Sequence, residues 1–93
     1  MFVEIPNYPK YKINESGEIL SFKFKQPHYM KIRRDKDGYH TIGLCDENNK
    51  QITCRVHALV LITFKNTCPK GYQGAHLDGN KDNNHISNLA WVT

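Results

Sequence analysis

A chain of 93 residues buries only about 60 to 68% of its unfolded surface, enough for one small core and not for two. With 39% hydrophobic and 24% charged residues it has the composition of a globular domain, not of a disordered segment or a coiled coil. The net charge of +4 excludes an acidic protein, and no apolar run approaches the roughly 20 residues that span a bilayer.

The start, Met1 to Pro6, has neither a basic segment nor an apolar h-region, which points to the cytoplasm and to no membrane partner. From Tyr11 to Phe22 two short strands are predicted around an Asn14-Glu15-Ser16-Gly17 turn, where Gly17 can take a positive φ. No acidic residue then occurs between Glu18 and Asp35. That stretch holds Lys23, Lys25, Lys31, Arg33 and Arg34, interleaved with Phe22, Phe24, His28 and Tyr29. Such a surface suits a phosphate backbone, since each neutralised phosphate releases a condensed counterion. On composition alone a solvated strand face with a few core aromatics reads equally well.

Asp35-Lys36-Asp37-Gly38 signals a second hairpin and Asp46-Glu47-Asn48-Asn49 a third. After the third turn, Ile52, Cys54 and Val56 alternate with Gln51, Thr53 and Arg55, giving a buried and an exposed face. The strands are expected to form one antiparallel meander. From His57 to Phe64 the pattern becomes a helix of almost wholly apolar residues, expected between the meander and the C-terminal hairpin at the centre of the core. Trp91 is expected to be largely buried against it. Pro69 and Gly71 end the helical region.

Cys45, Cys54 and Cys68 are odd in number and irregularly spaced, which favours free thiols, with a zinc site completed by His76 as the minor alternative. The loop Asp78-Gly79-Asn80-Lys81-Asp82-Asn83-Asn84 is rich in side chains that bond their own backbone. It does not read as a calcium loop, because no glycine stands sixth from Asp78 and Leu89 occupies the place of the bidentate Glu.

Three runs carry a family resemblance. Tyr11, Ile13, Asn14, Gly17 and Ile19 fit a small module that precedes the nuclease domain in phage homing endonucleases. Val56-His57-Ala58-Leu59-Val60 resembles the opening of that domain's helix. His76-Leu77-Asp78-Gly79-Asn80, then Asn83-Asn84 and Asn88-Leu89-Ala90-Trp91, resemble an HNH active-site hairpin. The resemblance implies an α+β fold in which an antiparallel β meander packs on one short buried helix, followed by a ββα-metal (HNH) hairpin lacking its final helix. It also implies one domain over residues 1–93, with a β module over about 8–56 and the helix plus hairpin over 57–93.

The resemblance further makes His76 the general base, which suits a side chain titrating near neutrality, and Asn88 the residue that fixes the loop and the histidine backbone. His57 reads as a structural hydrogen-bonder held by a partner. Family members place a metal-binding side chain before the base histidine and a second ligand on a helix after the second strand. Ala75 stands at the first position, and Thr93 is reached before any such helix, so no residue is assigned as a metal ligand.

The first functional expectation is therefore a catalytically inactive HNH-fold protein of a phage-infected bacterial cell. It would act by binding DNA or a nuclease or host-defence protein complex, as an anti-CRISPR inhibitor does. The alternative is an active nicking endonuclease using Mg or Mn with His76 as base. A third reading is a structural subunit that needs a partner chain.

Overall fold

The structure, a computed structural model, describes residues 1–93. Strands β1 (Val3–Ile5), β2 (Tyr8–Ile13), β3 (Ile19–Ser21) and β4 (His28–Tyr29) form one antiparallel sheet in that order. A second sheet contains β5 (Arg33–Arg34), β6 (His40–Cys45) and β7 (Gln51–Arg55). Helix α1 (Val56–Phe64) follows β7 without a loop, and β8 (Gln73–His76) pairs with β9 (Leu89–Val92) through a long connection ending in a 3-10 turn, Ile86–Asn88.

One Asn or Asp at the head of the turn explains the hairpins β2–β3, β5–β6 and β6–β7, because its carboxyl or amide oxygen replaces the backbone bonds that the turn forfeits. Asn14 Oδ1 accepts from the Ser16 and Glu18 amides, Asp35 Oδ1 from those of Asp37 and Tyr39, and Asp46 Oδ1 from those of Asn48 and Lys50. The last turn also needs Asn49 at φ +63°. Gly17, at φ +84°, is required for space as well as for conformation. A Cβ there would lie 3.0 Å from Val56 Cγ1 and 3.3 Å from Asn84 Cβ.

The expected antiparallel meander is present and is divided between two sheets. Between β4 and β5 the chain turns Met30 and Ile32 inward against the core, which breaks the ladder. The cause is the helix: Val56, Leu59, Val60 and Leu61 are all buried, and one sheet cannot cover a helix that is apolar on every side. Ile5, Tyr11, Ile13 and Ile19 from the first sheet, Ile42 and Leu44 from the second, and Leu89 from the hairpin complete the cluster. The Tyr11 hydroxyl accepts from the Cys45 amide at 3.1 Å and ties the sheets together.

Two further expectations shift. The helix begins at Val56, one residue before the predicted start, so Val56 is a helical core residue and not the end of a strand. Trp91 is half-buried, with its indole N–H donating to the Asn66 carbonyl at 3.1 Å; its apolar ring packs while its polar edge reaches the surface loop. No helix is long and apolar enough to cross a membrane.

Because Leu59 is buried and Trp91 is not fully so, Leu59→Ala is expected to cost about 2 to 5 kcal/mol, with Trp91→Ala costing clearly less. Urea denaturation of both variants checks the order.

Candidate active site

Helix α1 and strand β8 bring two histidines together. Gly74 on β8 packs directly against the His57 ring, where a Cβ would come within 2.8 Å of Cδ2, so only glycine lets the strand approach this closely. The His57 and His76 ring centroids are 4.7 Å apart, and Tyr39 from the second hairpin lies 5.3 Å from His57 and 6.0 Å from His76. The result is a triangular cluster of three tilted rings that lines one cleft.

Two cations meet that cluster at Tyr39. The Arg55 guanidinium sits 4.2 Å from the Tyr39 ring centre and the Lys81 ammonium 4.7 Å. Both positive groups have other partners: Arg55 pairs with Asp35 at 3.2 Å and Asp37 at 3.6 Å, and Lys81 donates to the Asp37 carbonyl oxygen at 2.6 Å. Ala58, Ala75 and Gly79 line the same cleft.

His57 departs from expectation. It is 5% exposed, and its Nδ1 has no hydrogen-bond partner. The ring is held by packing, which an uncharged imidazole tolerates far better than an imidazolium. Burial, reinforced by the neighbouring His76 and Arg55, pushes its pKa down to about 4, against a weaker opposing pull from Asp35.

The long loop is self-supporting. Asn88 Oδ1 accepts from the Asp78 amide at 3.1 Å, and Asn88 Nδ2 donates to Asp78 Oδ1 at 2.9 Å and to the Asn83 carbonyl at 3.0 Å. The Asn88 carbonyl accepts from the Leu77 amide, next to His76. Asp78 also accepts from Asn80 N and Asn83 Nδ2, and these bonds hold its carboxyl below the usual range.

His76, at the end of β8, is bonded to the side chain of Asn84, 2.8 Å from Nε2 to Oδ1. Asn84 is 5% exposed, and its Nδ2 lies 3.0 Å from His40 Nδ1. His40 Nε2 in turn meets Asp82 Oδ1 at 3.1 Å, and Asp82 is paired with Arg34. Sequence reasoning missed His40 altogether and read Asn84 as a loop residue. The only local signal was the position of His40 in the strand after the Gly38 turn; its contact is 44 residues away.

The five predicted basic residues divide. Lys23, Lys25, Lys31 and Arg33 are exposed, as are their sequence neighbours Phe24 and Tyr29, which are 68% and 62% exposed. Lys31, Arg33 and Tyr29 border a groove with Thr41, Gln51 and Thr53. Arg34 differs from these four, because its side chain is turned to Asp82 and the Gly38 carbonyl. The three thiols are free and separated: Cys45 accepts from Lys23, Cys54 meets the Tyr8 hydroxyl, and Cys68 faces the Pro69 and Tyr72 carbonyls. They do not converge with His76, and no three His, Cys, Asp or Glu side chains gather to hold a metal ion.

Residues 54–93 match the HNH endonuclease family and residues 2–45 the NUMOD4 motif. The chain is 43% identical over 83 residues to the DNA endonuclease I-HmuI of Bacillus phage SP01, covering 89% of this chain and 46% of that protein. It is 41% identical over 81 residues to YosQ, a putative HNH homing endonuclease from the SPbeta prophage of Bacillus subtilis strain 168, covering 87% of this chain and 46% of YosQ. The solved structure of I-HmuI, concerned with DNA binding and cleavage, superposes with a TM-score of 0.86 at 40% identity, over 100% of this chain and 52% of that one. The chain thus spans about half the length of these relatives.

The low pKa of His57 sets a pH dependence. Above the unfolded value of about 6.5 His57 is neutral in both states and its contribution is fully present. As pH falls from there toward 4, the unfolded chain takes up a proton that the folded one refuses, and stability drops by on the order of 3 kcal/mol. Between pH 7.5 and 4.5 the unfolding free energy of wild type is expected to fall by about 2 to 3 kcal/mol more than that of His57→Leu, as read from urea denaturation at the two pH values.

Proposed function

The chain belongs to the HNH homing-endonuclease family, joining a NUMOD4 motif to an HNH segment, and from that premise we propose that it binds double-stranded DNA and cleaves it poorly or not at all. The observation that carries the binding is the set of Lys23, Lys25, Lys31 and Arg33, all exposed, with Phe24 and Tyr29 as sequence neighbours. None of the four basic residues has a carboxylate partner in the fold, Lys23 meeting only the Cys45 thiol, so their charges are uncompensated and can meet phosphates. These contacts fix position and not sequence.

The weak cleavage follows from Ala75. A divalent ion held beside the base would neutralise charge on the phosphate and the leaving oxygen. The residues present do not fit such an ion: Ala75, adjacent to His76, has no donor atom, and Asp78 and Asp82 are already engaged by the loop and by Arg34. His76 keeps the position and support of a general base, with Asn88 bracing the loop that follows it. A base without a positive centre opposite the leaving group removes only part of the barrier.

Mobility shifts with duplex DNA are expected to show sequence-tolerant binding whose salt slope falls by about 3 to 4 when Lys23, Lys25, Lys31 and Arg33 are all changed to Ala. Arg34→Ala is expected to change that slope little. Absence of any shift at low salt would end the DNA reading and favour a nuclease or host-defence protein as the target. Supercoiled plasmid is expected to stay intact in Mg²⁺ and Mn²⁺, whereas Ala75→Asp is expected to gain Mn²⁺ binding by calorimetry. Nicking by the wild type that His76→Ala abolishes would overturn the assignment of weak cleavage.

A further inference from the structure

The HNH histidine is wired to the β module through a buried amide. Asn84 stands between His76 and His40, and beyond His40 lie Asp82 and Arg34, so four hydrogen bonds run from β8 to β5. Their direction follows from the last acceptor. Asp82 is held ionised by the guanidinium of Arg34, which keeps its carboxyl below the usual range. A carboxylate can only accept, so His40 Nε2 donates to it. A neutral His40 then has its lone pair on Nδ1, which must accept from the Asn84 NH₂. That orients the Asn84 oxygen toward His76 and requires the proton on His76 Nε2. The opposite polarity would demand a doubly protonated His40 and a proton on His76 Nδ1.

We propose that Asn84 and His40 are positioning residues for His76: aimed by Asp82, they fix it in the Nε2–H form and leave Nδ1 as its one basic nitrogen. A base must present a lone pair toward the proton it removes, and an imidazole has only one when neutral. The β module, through β5 and β6, thereby determines which nitrogen that is. The chain also holds the ring plane, because Asn84 is buried and its amide is bonded at both ends. The catalytic meaning of this arrangement rests on reading His76 as the base, while the tautomer itself is independent of cleavage or DNA binding.

The test is a long-range ¹H–¹⁵N correlation spectrum of the imidazoles of ¹⁵N-labelled protein at pH 7.5, without DNA or metal. Wild type is expected to show His76 protonated at Nε2 and bare at Nδ1, with a slowly exchanging Hε2. In Asn84→Leu, exchange of that proton is expected to rise by about tenfold or more, the scale of one lost hydrogen bond. His40→Leu, which leaves Asn84 free to turn its amide, is expected to speed exchange and to bring the two His76 nitrogen shifts closer together. Circular dichroism establishes that each variant is folded, and if Asn84→Leu is not, the wild-type spectrum and His40→Leu decide. A wild-type His76 protonated at Nδ1, or an Hε2 proton unchanged in His40→Leu, would overturn the proposal. Failure of DNA binding would leave these spectra as they are.

Discussion

A nine-residue helix with no polar face imposes the architecture. Helix α1 carries apolar residues on every side, and an isolated helix of this length is unstable in water, so it forms only where the rest of the chain encloses it. Two sheets and the C-terminal hairpin each contribute buried residues to the enclosure, which is why a single sheet would not suffice. The site is a consequence of that packing. His57 lies in the first turn of the helix, and the strand that covers this turn is the one that ends in His76.

Enclosing the helix brings polar loops together that could have repelled one another, and the turns avoid this by satisfying themselves. Asn14, Asp35, Asp46 and Asp78 each spend an oxygen on amides just ahead in the chain, so the loops meet with few free backbone groups. The seam between the β module and the hairpin can then be made by a small number of specific bonds. The Ile86 amide donates to the Glu15 carbonyl at 2.8 Å, and Gly17 leaves just the space that the Asn84 side chain needs. Asn84 is consequently buried with both ends of its amide committed, and it joins the two parts of the chain at His76.

Much of this was legible in the sequence where the signal is local. The three turns are announced by Asn-x-x-Gly, Asp-x-x-Gly and Asp-x-x-Asn, the strands by alternation, and the helix by the unbroken apolar run after His57. The placement of His76 and Asn88 on one hairpin was legible because their spacing within it carries the pattern. The division into two sheets could not, since it depends on Met30 and Ile32 finding the core, and the sequence around them reads only as a basic stretch. Arg34 was misplaced for the same reason: its side chain answers to Asp82, 48 residues on, and nothing in its own neighbourhood says so. His40 and the unpartnered Nδ1 of His57 are likewise products of tertiary packing.

Ala75 changes the electrostatic character of the cleft as well as its donor set. Arg55 and Lys81 border it, burial favours the neutral form of His57, and the nearest carboxylates are already paired, Asp35 and Asp37 with Arg55 and Asp82 with Arg34 and His40. An aspartate at position 75 would place a negative charge among these groups and draw a cation in. With a methyl group there, no further carboxylate offsets Lys81 and Arg55, which on the proposed reading disfavours a divalent ion beside His76. On the proposed reading, affinity for DNA and the ability to cut it would be separable in this fold, because the basic residues of the β module and the side chain next to His76 act on different steps.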